Sequence, residues 1–276
     1  MIFSHFQTRQ LTKQSNLSQI TISTDLGLST TPIVRIDRGW ALPHGQVLTD
    51  QQIAQITQDV NSCYQLSNGK ITKIERFSES TQRYYSLMPT KQAPTMLISG
   101  IPMHRIKDTT PMDDTREKIQ TLRKPTGNIL DTTTGLGYTA IQASLTAESV
   151  ITIEFDPAVL EICKLNPWSQ ALFDNKNIHQ IIGDSYEIVN IFKDASFDAI
   201  IHDPPMFNLA GHLYSQEIYL TFSRILKPNG HLFHYIGNPD SRSGATVGRG
   251  VVERLKTAGF SITPKPKAFG VLAKKY

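Results

Sequence analysis

Asn128-Ile-Leu-Asp-Thr-Thr-Thr-Gly-Leu-Gly-Tyr-Thr-Ala-Ile-Gln142 opens as a short apolar run, breaks at Asp131 into a threonine and glycine turn, and resumes at Tyr138 with the apolar period of a helix. Strand, glycine turn and helix start in succession bring backbone N–H groups close to a ligand. Gly135 and Gly137 supply the backbone angles and the close approach that a side chain would forbid. Asp131, at the carboxyl end of the strand, places an acceptor beside the turn. The stretch is not the Gly-x-Gly-x-x-Gly dinucleotide fingerprint, because the third glycine is missing. No Lys-Ser/Thr follows, which excludes a P-loop.

Downstream, strand and helix patterns alternate. Strands are expected at 149–154, 178–182, 197–202 and 231–236, with helices at 157–165, 185–191, 214–226 and 247–258. A closing hairpin is expected over 260–263 and 269–273. Such alternation predicts an α/β, Rossmann-like parallel sheet with helices on both faces. In such sheets ligands bind beyond the carboxyl ends of the strands, and there the polar residues fall into one row. The second strand ends in Glu154, a carboxylate able to accept from both hydroxyls of a ribose, beside Phe155, which could cover an adenine face. The third ends in Gly183-Asp184-Ser185, where Asp184 can accept from an amino group and the Ser185 N–H can donate. The fourth ends in Asp203-Pro204-Pro205-Met206-Phe207.

Ahead of the turn the chain has a different texture. Short extended segments punctuated by glycine and proline run from residue 18, with a helix capped by Asp50 that carries Ile53, Ile56 and Val60 on one stripe. An Asn68-Gly69 hairpin follows. Residues 1–17 are polar and mixed and are expected to form a flexible arm. The division expected is therefore an N-terminal α+β unit over 1–110, capping the substrate side, and a catalytic unit over 111–276. A helix capped by Asp113 or Asp114 and running to Arg123 should carry its charge on the outer face. His104, just after a strand at 95–99, and Tyr235, near the end of the fifth strand, are candidates to touch substrate, as is Phe207.

With 28 Lys and Arg against 24 Asp and Glu the chain is mildly basic, which permits an anionic partner such as RNA without requiring one. Cys63 and Cys163 are far apart with no C-x-x-C, and His231 and His234 fall on opposite sides of a strand. Neither a disulfide framework nor a metal site is expected. No run approaches the ~20 apolar residues of a membrane helix, and the opening segment lacks a signal-peptide core, so no membrane partner and a cytoplasmic location are expected.

Asp131 through Gly137, Glu154, Asp184 and Asp203-Pro-Pro205, taken in order, resemble the successive motifs of class I S-adenosylmethionine-dependent methyltransferases across about residues 112–276. The resemblance implies S-adenosyl-L-methionine as cofactor, held by Asp131, Thr133, Gly135, Gly137, Glu154, Phe155, Asp184 and Ser185. It implies Asp203 and Pro204 as the catalytic pair, orienting an acceptor nitrogen in the manner of an Asp-Pro-Pro-aromatic loop. Here the aromatic comes one place late, at Phe207. Ser99-Gly-Ile-Pro-Met-His-Arg105, Leu165-Asn-Pro-Trp168, His202-Asp-Pro-Pro205 and Phe233-His-Tyr-Ile-Gly-Asn-Pro239 resemble an uncharacterised group of predicted methyltransferases. The acceptor stays open between an RNA base and a small molecule. Two alternatives stand beside this reading: a spermidine synthase-like aminopropyltransferase, and a non-enzymatic RNA-associated module of the same fold.

Overall fold

The computed structural model describes residues 1–276, the side chains of Arg242 and Ser243 excepted. The chain forms two compact units, Met1–Met112 with Ala158–Gln170, and Asp113–Pro157 with Ala171–Tyr276.

In the second unit, the strands Asn128–Asp131, Ser149–Glu154, Ile178–Ile182, Phe197–His202, Leu226–Tyr235, Phe260–Lys265 and Gly270–Lys275 form one sheet of seven. Numbered in that chain order, they lie 3-2-1-4-5-7-6 across the sheet. The first five are parallel, and the last two form an antiparallel hairpin whose final strand inserts beside the fifth. Central strands such as Asn128–Asp131 and Phe197–His202 are buried on both faces, which is why they read as nearly continuous apolar runs. Against them packs the helix Gln216–Ile225, capped by Ser215, through Ile218, Tyr219, Phe222 and Ile225. Val251 and Leu255 of the helix Arg242–Thr257 complete this core with Leu130, Ile153, Ile200 and Leu232.

Two boundaries differ from expectation for local reasons. The fifth strand begins at Leu226, and its register with the fourth shifts between Phe197 and Ala199, so the Lys227-Pro-Asn-Gly230 turn lies within the strand. The helix Arg242–Thr257 starts earlier than its apolar period suggests, because the Ser241 side chain accepts from the Gly244 N–H.

The first unit holds small antiparallel sheets of three, four and four strands. Phe3, Leu11, Trp40, Leu48 and Ile56 share its core. The Asn68-Gly69 turn takes positive φ at both positions, as a tight hairpin requires. The expected flexible arm over 1–17 is corrected here. Ile2–Phe3 pairs with Tyr64–Ser67, and His5–Lys13 is a helix. Its cause is a capping box: the Ser4 side chain accepts from the Phe6 N–H at 3.3 Å, and Gln7 Oε1 accepts from the Ser4 N–H at 2.9 Å. Mixed polarity hid it, since Phe3 and Leu11 are nearly its only apolar anchors. The helix Asp50–Gln58 is capped by Thr49 rather than Asp50, and Val60 lies beyond its end and is exposed.

Leu11→Ala should cost about 2–5 kcal/mol, the usual range for emptying a fully buried leucine site. Urea unfolding of the variant tests this; a loss well under 1 kcal/mol would mean the N-terminal helix is not part of the core.

Candidate active site

The turn after the first strand is tied down by each of its threonines. The Thr132 N–H donates to Ile201 O at 3.0 Å and the Thr134 N–H to Ile153 O at 2.8 Å, which pins the turn between the fourth and second strands. Thr133 Oγ1 donates to the main-chain carbonyl of Asp203 at 2.8 Å. Thr134 and Thr152 hydroxyls lie 2.7 Å apart. Ser185 Oγ donates to Thr132 O. Gly135 and Gly137 then take φ of 53° and 77°, a left-handed path that side chains resist.

Three of the carboxylates at the strand ends have distinct surroundings. Asp131 is fully buried, its oxygens accepting from Thr152 Oγ1 at 2.8 Å and Thr139 Oγ1 at 3.3 Å. Burial dominates and lifts it to about 8, so the group is largely protonated at pH 7. Glu154 is 9% exposed and accepts from the Gly135 N–H at 2.9 Å and the Asp156 N–H at 3.1 Å. Burial again outweighs those donors and lifts it to about 7. Asp184 accepts from the Tyr186 N–H at 2.9 Å and keeps its side chain 31% exposed, with His212 Nε2 at 3.3 Å. Phe155, 58% exposed, presents a free ring face beside Glu154 in sequence.

At the fourth strand end, Asp203 meets a group that the sequence reading passed over. Lys118 Nζ lies 2.6 Å from Asp203 Oδ2 and 2.9 Å from Asp114 Oδ2, and sits 4.6 Å from the centre of the Tyr235 ring. Its side chain is 2% exposed, that of Asp203 20%. Burial alone would lower the ammonium's pKa, but Asp203 and Asp114 together raise it above its ordinary value, so Lys118 stays charged. The expectation that this helix, Pro111–Thr121, turns its charges outward is thus corrected: Asp113 and Arg116 do so, Asp114 and Lys118 do not. The i, i+4 spacing of Asp114 and Lys118 was the available signal.

Beyond Asp203, Pro204 is buried and Tyr214 OH donates to Pro205 O at 3.0 Å. Phe207, 45% exposed, packs edge-on to Tyr214 with ring centres 5.4 Å apart. Beneath this loop, His202 Nε2 must donate to Leu213 O at 2.8 Å, since a carbonyl only accepts. Its Nδ1 therefore accepts from the Thr132 hydroxyl at 2.7 Å. Burial pushes this imidazole down to about 4, and it is neutral. His234, in register with His202, is buried against Tyr219 OH at 2.8 Å and does not face a solvent-open site. His104 is buried in the first unit, its Nδ1 3.0 Å from Thr95 Oγ1. The geometry of the second unit thus gathers the glycine turn, Glu154, Ser185 and Asp203 into one hydrogen-bonded set, with Pro204 next to Asp203 in the chain. Phe155 and Asp184 are more open, and Asp131 is turned inward.

A protein-family profile described as a methyltransferase domain matches residues 130–234, from the first strand to the end of the fifth. An uncharacterized protein of Methanocaldococcus jannaschii is 45% identical over 236 residues, 84% of this chain and 80% of that protein. The chain belongs to one family with this archaeal protein, and its residues 130–234 form a class I methyltransferase domain. A polyamine aminopropyltransferase of Mycobacterium tuberculosis is 31% identical over 123 residues, 42% of this chain but 23% of that enzyme. A spermidine synthase of Thermotoga maritima superposes with a TM-score of 0.56 at 18% identity, covering 73% of this chain and 71% of its own; at that identity the likeness is one of fold. Among the described residues no helix is long and apolar enough to cross a membrane, and no cluster of three or more His, Cys, Asp or Glu could hold a metal ion.

The protonated state of Asp131 makes a pH prediction. A carboxyl raised from 3.8 to about 8 stabilises the fold fully below pH ~4, and that contribution is lost as pH rises toward 8. In denaturant unfolding between pH 5 and 8, Asp131→Asn should lose stability with pH less steeply than the wild type, the contributions of Glu154 and of the buried His202 being common to both proteins. Equal slopes would show that Asp131 is ionised in the fold.

Proposed function

We propose that this protein is an S-adenosylmethionine-dependent methyltransferase that methylates a nitrogen of its acceptor. The observation that carries the reading is the single hydrogen-bonded set joining the glycine turn to Glu154 on one side and to Asp203 on the other. A carboxylate can accept about four hydrogen bonds, so Glu154, with one backbone donor on each oxygen, retains capacity for ribose hydroxyls. The open ring of Phe155 and the part-exposed carboxylate of Asp184 suit an adenine beside it. Asp131 contributes by holding the turn through Thr139 and Thr152 rather than by direct contact. The residues present therefore fit an adenosyl group.

The cofactor supplies an electrophilic methyl on a sulfonium. The protein's part is alignment and exclusion of water, which dominate such displacements. Asp203 and the carbonyl of Pro204 accept the hydrogens of a planar nitrogen and aim its lone pair. Proline stiffens that corner and removes competing N–H donors. Thr133, bound to the Asp203 carbonyl, holds this corner against the glycine turn. Phe207 and Tyr235 would flank the acceptor.

Aminopropyl transfer is the second reading, favoured by the Mycobacterium relative and the shared fold. Product mass after incubation with S-adenosylmethionine, or with its decarboxylated form plus putrescine, separates the two.

Calorimetry with S-adenosylhomocysteine should show binding that weakens about 10–100-fold in Glu154→Gln, the loss of charged hydrogen bonds worth roughly 1.5–3 kcal/mol. Asp203→Asn should keep that affinity within about threefold yet cut tritiated-methyl transfer into cell extract by about a hundredfold, in line with the loss of an electrostatic anchor at a reacting centre. Binding unaffected by Glu154→Gln, or transfer unaffected by Asp203→Asn, would overturn the site.

A further inference from the structure

The Asp203 corner holds a buried ammonium that nothing in the methyltransfer scheme requires. Lys118 is anchored from behind by Asp114 at 2.9 Å, lies under the Tyr235 ring, and reaches Asp203 Oδ2 at 2.6 Å. These three contacts define a single position for Nζ, and a cation over an aromatic face adds to the ion pairs. Burying an ammonium is costly, and it is tolerated only where charges and donors are matched closely. An arrangement of that cost, abutting the residue that faces the acceptor, points to a task at the acceptor.

Resting on the methyltransferase reading, we propose that Lys118 is a positioning residue that holds Asp203 as a hydrogen-bond acceptor rather than a base, and so restricts the substrate to a nitrogen that is uncharged before transfer, such as an amide or the amino group of a heteroaromatic ring. The chemistry follows from proton accounting. In the transfer the nitrogen lone pair forms the new N–C bond, the C–S bond breaks with its electrons left on sulfur, and the nitrogen then sheds one proton to water. A heteroaromatic or amide nitrogen owns that lone pair at neutral pH, and once methylated it is acidic enough for water to take the proton. An alkylamine, with a pKa near that of lysine at ~10.4, arrives as an ammonium and needs a base first. A carboxylate is far less basic than an alkylamine, and one already paired with the Lys118 ammonium is committed to accepting hydrogen bonds rather than to removing that proton. Asp114 sets the height of the ammonium, and Tyr235 closes it off from the side.

The test uses the full chain and tritiated S-adenosylmethionine, with fractionated cell extract, adenosine, cytidine, putrescine and spermidine as acceptors. Wild type should label a nitrogen that is neutral at pH 7 and leave putrescine and spermidine unlabelled. Lys118→Met should lose at least tenfold in transfer with S-adenosylhomocysteine affinity within about twofold, and Lys118→Arg should restore a large part of the rate. Because Lys118→Met leaves two carboxylates facing each other, Asp114→Asn/Lys118→Met serves as the variant with that repulsion removed, and it should lose transfer to the same extent. Label in either polyamine, or wild-type transfer in the double variant, overturns the inference while leaving the methyltransferase reading intact. Failure of the wild type to bind S-adenosylhomocysteine overturns both.

Discussion

Three consecutive threonines bind the ends of neighbouring parallel strands to one another, and the candidate site depends on that tie. Thr132 reaches the fourth strand through Ile201 and His202, Thr133 reaches the carbonyl of Asp203, and Thr134 reaches the second strand through Ile153 and Thr152. A glycine-rich turn alone would be free to vary its path. Here side chain and backbone donors are used together, so the turn, the Glu154 carboxylate and the Asp203 corner move as one piece. Buried and fully matched networks of this kind rigidify a fold, and their low-dielectric surroundings make each missing partner costly.

The same burial accounts for the electrostatics. Asp131 and Glu154 share a region poor in water, and both are raised, most by desolvation. Lys118 shows the reverse balance: desolvation opposes its charge, and two carboxylates overrule it. His202 is pushed down and kept neutral by lack of solvent, which fixes its tautomer between Thr132 and Leu213. A charged imidazole there would have no acceptor for its second N–H except a threonine hydroxyl. Neutrality is thus a condition of the link between the turn and the loop that follows Asp203.

Much of the sheet was legible because parallel strands buried on both faces announce themselves as short apolar runs, and because polar residues accumulate where those runs stop. That logic picked out Glu154, Asp184 and Asp203 as strand-end carboxylates, and each lies at or just beyond the end of its strand. It could not see that Asp131 faces inward, since a strand-end carboxylate reads the same whether its oxygens meet a ligand or two threonines. It also passed over Lys118. A lysine in a charged helix reads as solvated, and only the tertiary meeting with Asp203, 85 positions away, makes it a buried residue. Residues 1–17 were misread for the opposite reason: the Ser4 and Gln7 pairing that starts the helix is local, but too few apolar positions follow to show its period.

The assignment of Ala158–Gln170 to the first unit gives the chain an unusual bookmark. After the second strand of the large sheet, the polypeptide leaves to supply Glu161, which pairs with Arg76 at 2.8 Å, and Trp168, whose indole N–H donates to Leu26 O at 3.1 Å, and then returns. Residues 1–112 are therefore synthesised before Ala158–Gln170, the last structural component of their unit. The first unit is complete in sequence only at Gln170, inside the span of the second, so no single cut in the gene can separate the two as independent modules for exchange between relatives.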